Sequence, residues 1–218
     1  MKQNKTSILI AALLGCIAAQ PILANDMADA VERFDFNVYL NDKRVGKHIY
    51  EIVEEDGVQR VRSEAEFQYR ILFIPAYSYE HRNSERWSDN CLLRFEANTN
   101  ANGELINVSG ERTGPVFRVD KGDAAVELPE CVMSFAYWNQ DFLQERRLLN
   151  PQTGEYVDVS VEEVAEEMLE VRGELVPAKR FRLTAYEVDL TLWYSQDNEW
   201  LALESVAKGG HIIRYELS

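Results

Sequence analysis

Twelve residues in the first third of the chain constrain its fold more than any other feature. From Arg60 to Ile71 the side chains alternate without a break: Val61, Ser63, Ala65, Phe67, Tyr69 and Ile71 fall on one side, Arg60, Arg62, Glu64, Glu66, Gln68 and Arg70 on the other. An α-helix would scatter these charges around its circumference, whereas an extended strand sends successive side chains to opposite faces. The segment is therefore a strand with one dry and one solvated face, and such a strand needs antiparallel neighbours.

The same period recurs on both sides of it. Phe34, Phe36, Val38 and Leu40 alternate with Asp35, Asn37 and Tyr39; Asn41-Asp42-Lys43-Arg44 supplies turn residues, and residues 45–53 form the return strand. Glu55-Asp56-Gly57, Ser88-Asp89-Asn90 and Asn100-Ala101-Asn102-Gly103 read as further turns, and Pro75 as a bend or edge. Short strands follow at 105–112, 116–119 and 124–128. Residues 129–149 break the alternation, because Val132, Phe135, Ala136, Trp138 and Phe142 better suit a helical turn or a packed connection.

Beyond a turn at Asn150-Pro151-Gln152-Thr153-Gly154 the alternation returns over 156–161. Two readings then compete. Ser160 with Glu163 forms a capping box for a helix carrying Val164, Met168 and Leu169, while residues 168–171 before Gly173 suit a hairpin arm, and strand from about Glu167 is the reading preferred here. Strands at 179–185, 188–194, 200–207 and 211–217 complete the chain. The predicted fold is all-β: one strongly curved antiparallel sheet or open barrel, a meander with one short helical connection.

Residues 1–24 read as a secretory signal peptide, with Lys2 and Lys5 ahead of an apolar run from Ser7 to Ala19 and cleavage after Ala24. Leu13-Leu14-Gly15-Cys16 also resembles a bacterial lipobox, which would make Cys16 a lipid anchor. The remaining residues, 25–218, suffice for a single β-rich domain, predicted to be exported and periplasmic. Loss of the leader moves the net charge from −14 to −16, since two lysines and no acid leave with it. A chain so acidic repels phosphate backbones, so nucleic acid is not an expected partner. No later apolar run is long enough for a membrane-spanning helix, and the charged outward strand faces argue against an outer-membrane barrel. Cys91 and Cys131, an even pair in an oxidising compartment, are expected to form a disulfide.

Signatures of catalysis are missing. The histidines at 48, 81 and 211 show no metal-binding spacing, there is no Gly-x-Ser-x-Gly turn, and no glycine-rich phosphate loop occurs. No catalytic residue, metal or cofactor is assigned. The stretch Tyr77-x-Tyr79-x-His81-x-Asn83-x-Glu85-x-Trp87 stands apart, because as a strand it carries an aromatic face with polar groups set in it. Such a face either packs a core or lines a concave site for an apolar or amphipathic ligand such as a lipid or acyl chain, and Tyr77, Tyr79, His81, Glu85 and Trp87 are the candidate binding residues. His81 and Glu85, four residues apart on a strand, are about 13 Å from each other and form no catalytic pair without a bulge.

The chain resembles an uncharacterised family of bacterial envelope proteins, a domain of unknown function. The resemblance lies in Phe36 to Asn41 followed by Val45-Gly46-Lys47-His48, in the stretch from Tyr77 to Trp87, in 149–154, and in Leu192-Trp193-Tyr194 before Trp200-Leu201. It implies a layout related to the curved antiparallel barrels of periplasmic proteins, some of which carry lipoproteins or lipids, and it implies no catalytic residue. The function expected is non-enzymatic ligand binding. The alternatives are an assembly or scaffold protein holding an envelope partner through a sheet edge or through residues 129–149, and an enzyme of unknown type.

Overall fold

The computed structural model describes residues 31–71, 74–186, 188–207 and 210–218. The predicted leader, Cys16 included, lies outside them. Eight strands run in sequence order, β1 (Val31–Leu40), β2 (Lys43–Glu55), β3 (Val58–Ile71), β4 (Ile74–Ser88), β5 (Cys91–Ala101), β6 (Glu104–Thr113), β7 (Val116–Asp120) and β8 (Ala125–Pro129). A connection follows, holding a 3-10 turn at Gln140–Gln144 and a small hairpin of β9 (Arg147–Asn150) and β10 (Glu155–Asp158). The chain finishes with β11 (Ser160–Val171), β12 (Glu174–Ala185), β13 (Val188–Ser195), β14 (Trp200–Ala207) and β15 (His211–Leu217).

Apart from the β9–β10 hairpin, these strands form one 13-stranded antiparallel sheet, in the order β11-β12-β13-β14-β15-β1-β2-β3-β4-β5-β6-β7-β8. Every neighbour pair is consecutive in sequence except one: β15 returns to β1, with Phe36 opposite Leu217 and Leu40 opposite Ile213. The first and last strands thus meet in the middle of the sheet, and its free edges, β8 and β11, are the strands flanking the connection. The sheet curls into an open barrel whose seam is spanned by covalent chain instead of a hydrogen-bonded ladder.

Tight turns set the register. Asp56 and Gly57 both have positive φ, 53° and 73°, as do Asn102 and Gly103, 53° and 90°. Two consecutive residues with positive φ twist a two-residue loop to match its strands, and Asn, Asp and Gly tolerate that conformation best. On β3, Val61, Ser63 and Ala65 are buried while Arg60, Arg62, Glu64 and Glu66 are exposed, as the alternation requires. The ladder shifts register between Tyr69 and Arg70, where Pro75 lies opposite Arg70. One expectation is revised: strand begins at Ser160, not near Glu167, and residues 160–171 contain no helix. Cross-strand pairing with β12, from Ser160 opposite Thr184 to Val171 opposite Glu174, overrides the local capping signal.

The connection fills the barrel. Its Val132, Met133, Ala136, Trp138, Phe142, Leu148 and Leu149 are all buried. It touches opposite walls: Trp138 meets Trp87 of β4 edge-on at 5.8 Å, while Tyr137 sits 5.4 Å from Trp200 of β14 and its carbonyl accepts a hydrogen bond from the Tyr194 hydroxyl of β13 at 2.8 Å. Each of these large side chains contributes roughly 1.5–3 kcal/mol by leaving water. The Cys91–Cys131 disulfide ties the start of the plug to β5, and beside it Leu92 donates its N–H to the Val132 carbonyl at 3.0 Å. Among the described residues no helix is long and apolar enough to cross a membrane.

Candidate functional site

Register places the inward side chains of β2, β3, β4 and β5 in rows across the sheet. His48 lies opposite Ala65, Ala65 opposite His81, and His81 opposite Thr99. In the next row Tyr50, Ser63 and Asn83 stand side by side. The small Ala65 and Ser63 sit between large polar neighbours, so the wall is hollowed there, and Phe135 to Trp138 of the plug and residues 150–152 face it from within. The result is a cavity of about 250 Å³ with aromatic walls that include Tyr50, Tyr79, Tyr137 and Tyr215.

Most polar groups here are paired. The His81 Nδ1 shares a 2.8 Å hydrogen bond with the Thr99 hydroxyl, and the Tyr79 hydroxyl donates to the Gln152 Oε1 at 2.9 Å, joining the sheet wall to the turn at 150–154. The Glu85 carboxyl, 4% exposed, accepts from Asn83 Nδ2 and Trp87 Nε1, each at 2.8 Å, and from the Ser134 hydroxyl of the plug at 3.4 Å. Among the described residues three buried side-chain atoms have no hydrogen-bond partner: both ring nitrogens of His48 and the Asn83 Oδ1. His48 is held instead by rings, stacked 4.4 Å from Tyr50 and tilted against Tyr215 at 5.7 Å.

Burial sets the protonation. It lowers the His48 imidazole to about 3, with nearby His81 contributing, and it lowers His81 to about 4. Both rings are therefore neutral at physiological pH, each with one donor and one acceptor nitrogen. Burial raises the Glu85 carboxyl against the three hydrogen bonds that stabilise its ionised form, and it raises the phenols of Tyr79 and Tyr137.

Of the five residues singled out in the sequence, Tyr79, His81 and Glu85 line the cavity. Tyr77, 41% exposed, stacks 6.4 Å from Tyr79 near the start of β4, and Trp87, 1% exposed, is buried against Trp138 outside the cavity lining. His81 bonds to Thr99 and Glu85 to other partners, so the two do not meet. His48, Tyr50, Ser63 and the plug residues Phe135 to Trp138 also line the cavity, outside the stretch from Tyr77 to Trp87. Alternation alone places His48 on the inward side with Tyr50 and Ile52, and that signal was present. What spacing cannot reveal is the row that sets His48 beside His81. Among the described residues no three His, Cys, Asp or Glu side chains converge to hold a metal ion.

The chain's residues 36–218 match the model of a family described as domain of unknown function DUF6134. No curated protein matches it. Among solved structures it is similar to a beta-barrel-like protein of domain of unknown function DUF1849 from Brucella abortus, with a TM-score of 0.63 and 9% identity over 85% of this chain and 94% of that one. At that identity the likeness is one of fold.

Proposed function

We propose that this chain, which belongs to the DUF6134 family of domains of unknown function, is an exported envelope protein that binds a small amphipathic molecule in its barrel without transforming it. The observation that carries this reading is a cavity lined by His48 and Asn83, residues whose ring nitrogens and Oδ1 are buried with no partner among the described residues. Leaving such groups unpaired costs about 1–3 kcal/mol each, a cost that a ligand offering hydrogen bonds would remove. The leader-like residues 1–24 and the Cys91–Cys131 disulfide support an oxidising, extracytoplasmic setting.

Size narrows the ligand. A cavity of about 150 Å³ accepts benzene and drug-sized sites run from about 300 Å³ upward, so 250 Å³ suits one or two rings, or the end of a chain, better than a whole acyl chain or lipid. Protein purified natively from the periplasm should carry a small molecule detectable by native mass spectrometry and extraction, and Ser63→Leu, which fills the hollow between Tyr50 and Asn83, should lose it while staying folded. Bare-chain masses for both proteins would overturn the reading.

A second reading has one observation in its favour. The edge strand β11 exposes Val164 and Met168, 44% and 57% accessible, beside an unpaired backbone edge that a partner strand could extend. Envelope cross-linking from β11 to a protein partner would favour this scaffold role, and an empty cross-linking map would dismiss it.

A further inference from the structure

We infer that the cavity's occupant is an uncharged, ring-sized molecule bearing both a hydrogen-bond donor and an acceptor, of the amide or hydroxyl class, held by His48 and Asn83. This rests on the reading of the cavity as a binding site and narrows its chemistry. Among the described residues three buried side-chain atoms lack a partner: the Asn83 Oδ1, which only accepts, and the two His48 nitrogens, of which one donates and one accepts when the ring is neutral. An occupant that completes this set needs at least one donor and one acceptor.

Charged ligands fail on different counts. An anion could take the His48 N–H, but it would meet the carboxyl of Glu85, and among the described residues no lysine or arginine lines the cavity to offset its charge. A chain of net charge −14 repels it further. A cation is the stronger rival, because aromatic walls attract it. Yet a cation that only donates would leave the His48 N–H unpaired, and Glu85 already spends both carboxyl oxygens on Asn83, Trp87 and Ser134. A purely apolar ring fits the walls and leaves all three atoms unpaired. Sites built to hydrogen-bond a ligand discriminate strongly against analogues that lack the bonding group.

Four compounds of nearly equal size isolate charge from shape: benzamide, benzoate, benzamidinium and toluene, with benzyl alcohol to separate amide from hydroxyl. Each is titrated into the mature chain at pH 7 while side-chain and amide NMR shifts of His48, Asn83 and Tyr79 are followed. Benzamide or benzyl alcohol should bind at least tenfold more tightly than the other three, and His48→Phe and Asn83→Leu should each remove that preference. If benzoate, benzamidinium or toluene binds as well as benzamide, or if His48→Phe binds benzamide unchanged, the inference fails while the cavity remains a binding site. If no compound perturbs these residues at millimolar concentration, both fail.

Discussion

Replacing His48 by Phe should stabilise the protein, the reverse of what most buried substitutions do. The native imidazole is 7% exposed, stacks on Tyr50, and leaves both nitrogens without a protein partner. Phenylalanine keeps the stack, removes the buried polar atoms and extends its slightly larger ring towards the adjoining cavity. Relief of an unsatisfied buried group is worth roughly 1–3 kcal/mol, so a gain of about 2 kcal/mol at pH 7 follows, or about 4–8 °C in a chain of this size. The gain should grow in acid. Because the folded imidazole titrates near 3 and the unfolded one near 6.5, the unfolded chain binds more protons between those values, and the native protein loses stability as pH falls through that window. At pH 5 the loss from His48 alone is about 2 kcal/mol, so the variant's advantage should reach about 4 kcal/mol. Glu85 shifts the opposite way, its raised carboxyl opposing ionisation in the fold as pH rises, but it is common to both proteins and cancels in the difference. Urea unfolding at pH 7 and pH 5, with unchanged m-values, measures both numbers. A variant less stable than the native chain at pH 7 would refute the premise that His48 is unpartnered, and an advantage that does not widen at pH 5 would refute the premise that burial holds it neutral.

Other substitutions test the frame around the cavity. Paired Cys91→Ser and Cys131→Ser changes open a bridge spanning 40 residues and should cost about 4 kcal/mol on the chain-entropy estimate, read by calorimetry with and without reductant. Gly46→Ala should block folding or cost several kcal/mol, because its Cβ would lie 1.9 Å from the backbone carbonyl oxygen of Glu66, which cannot move without breaking the β2–β3 ladder; circular dichroism and soluble yield report it. Tyr79→Phe removes the tie to Gln152, and a loss of about 1 kcal/mol with faster amide exchange in residues 150–154 is expected from hydrogen-exchange measurements.

What the sequence made legible follows from period two. The strand through Val61, Ser63 and Ala65 and the turns at Asp56-Gly57 and Asn102-Gly103 rest on local chemistry and stand where it puts them, while the disulfide was legible from an even pair of cysteines. The return of β15 to β1 did not announce itself, since no local signal says that the last strand closes onto the first. Residues 160–166 were ambiguous because a capping box and an edge strand share the same Ser and Glu, and pairing with β12 decided it. At the site, the polarity of the Tyr79, His81 and Glu85 face was visible in the alternation. His48 was not connected to it, because its place beside His81 depends on two strand registers and on Ala65 between them being small. Even more distant was the plug: Tyr137 and Trp138 reach the cavity only because a non-alternating segment folds back through the barrel.

The central observation is the buried ring of His48, which lines the cavity and has no hydrogen-bond partner among the described residues. Nitrogen-15 NMR of histidine-labelled protein between pH 7 and pH 4 tests that directly. The His48 ring should stay predominantly neutral across the whole range, with His81 reaching half protonation near pH 4. Titration of His48 near 6.5, the value of a solvated imidazole, would contradict it.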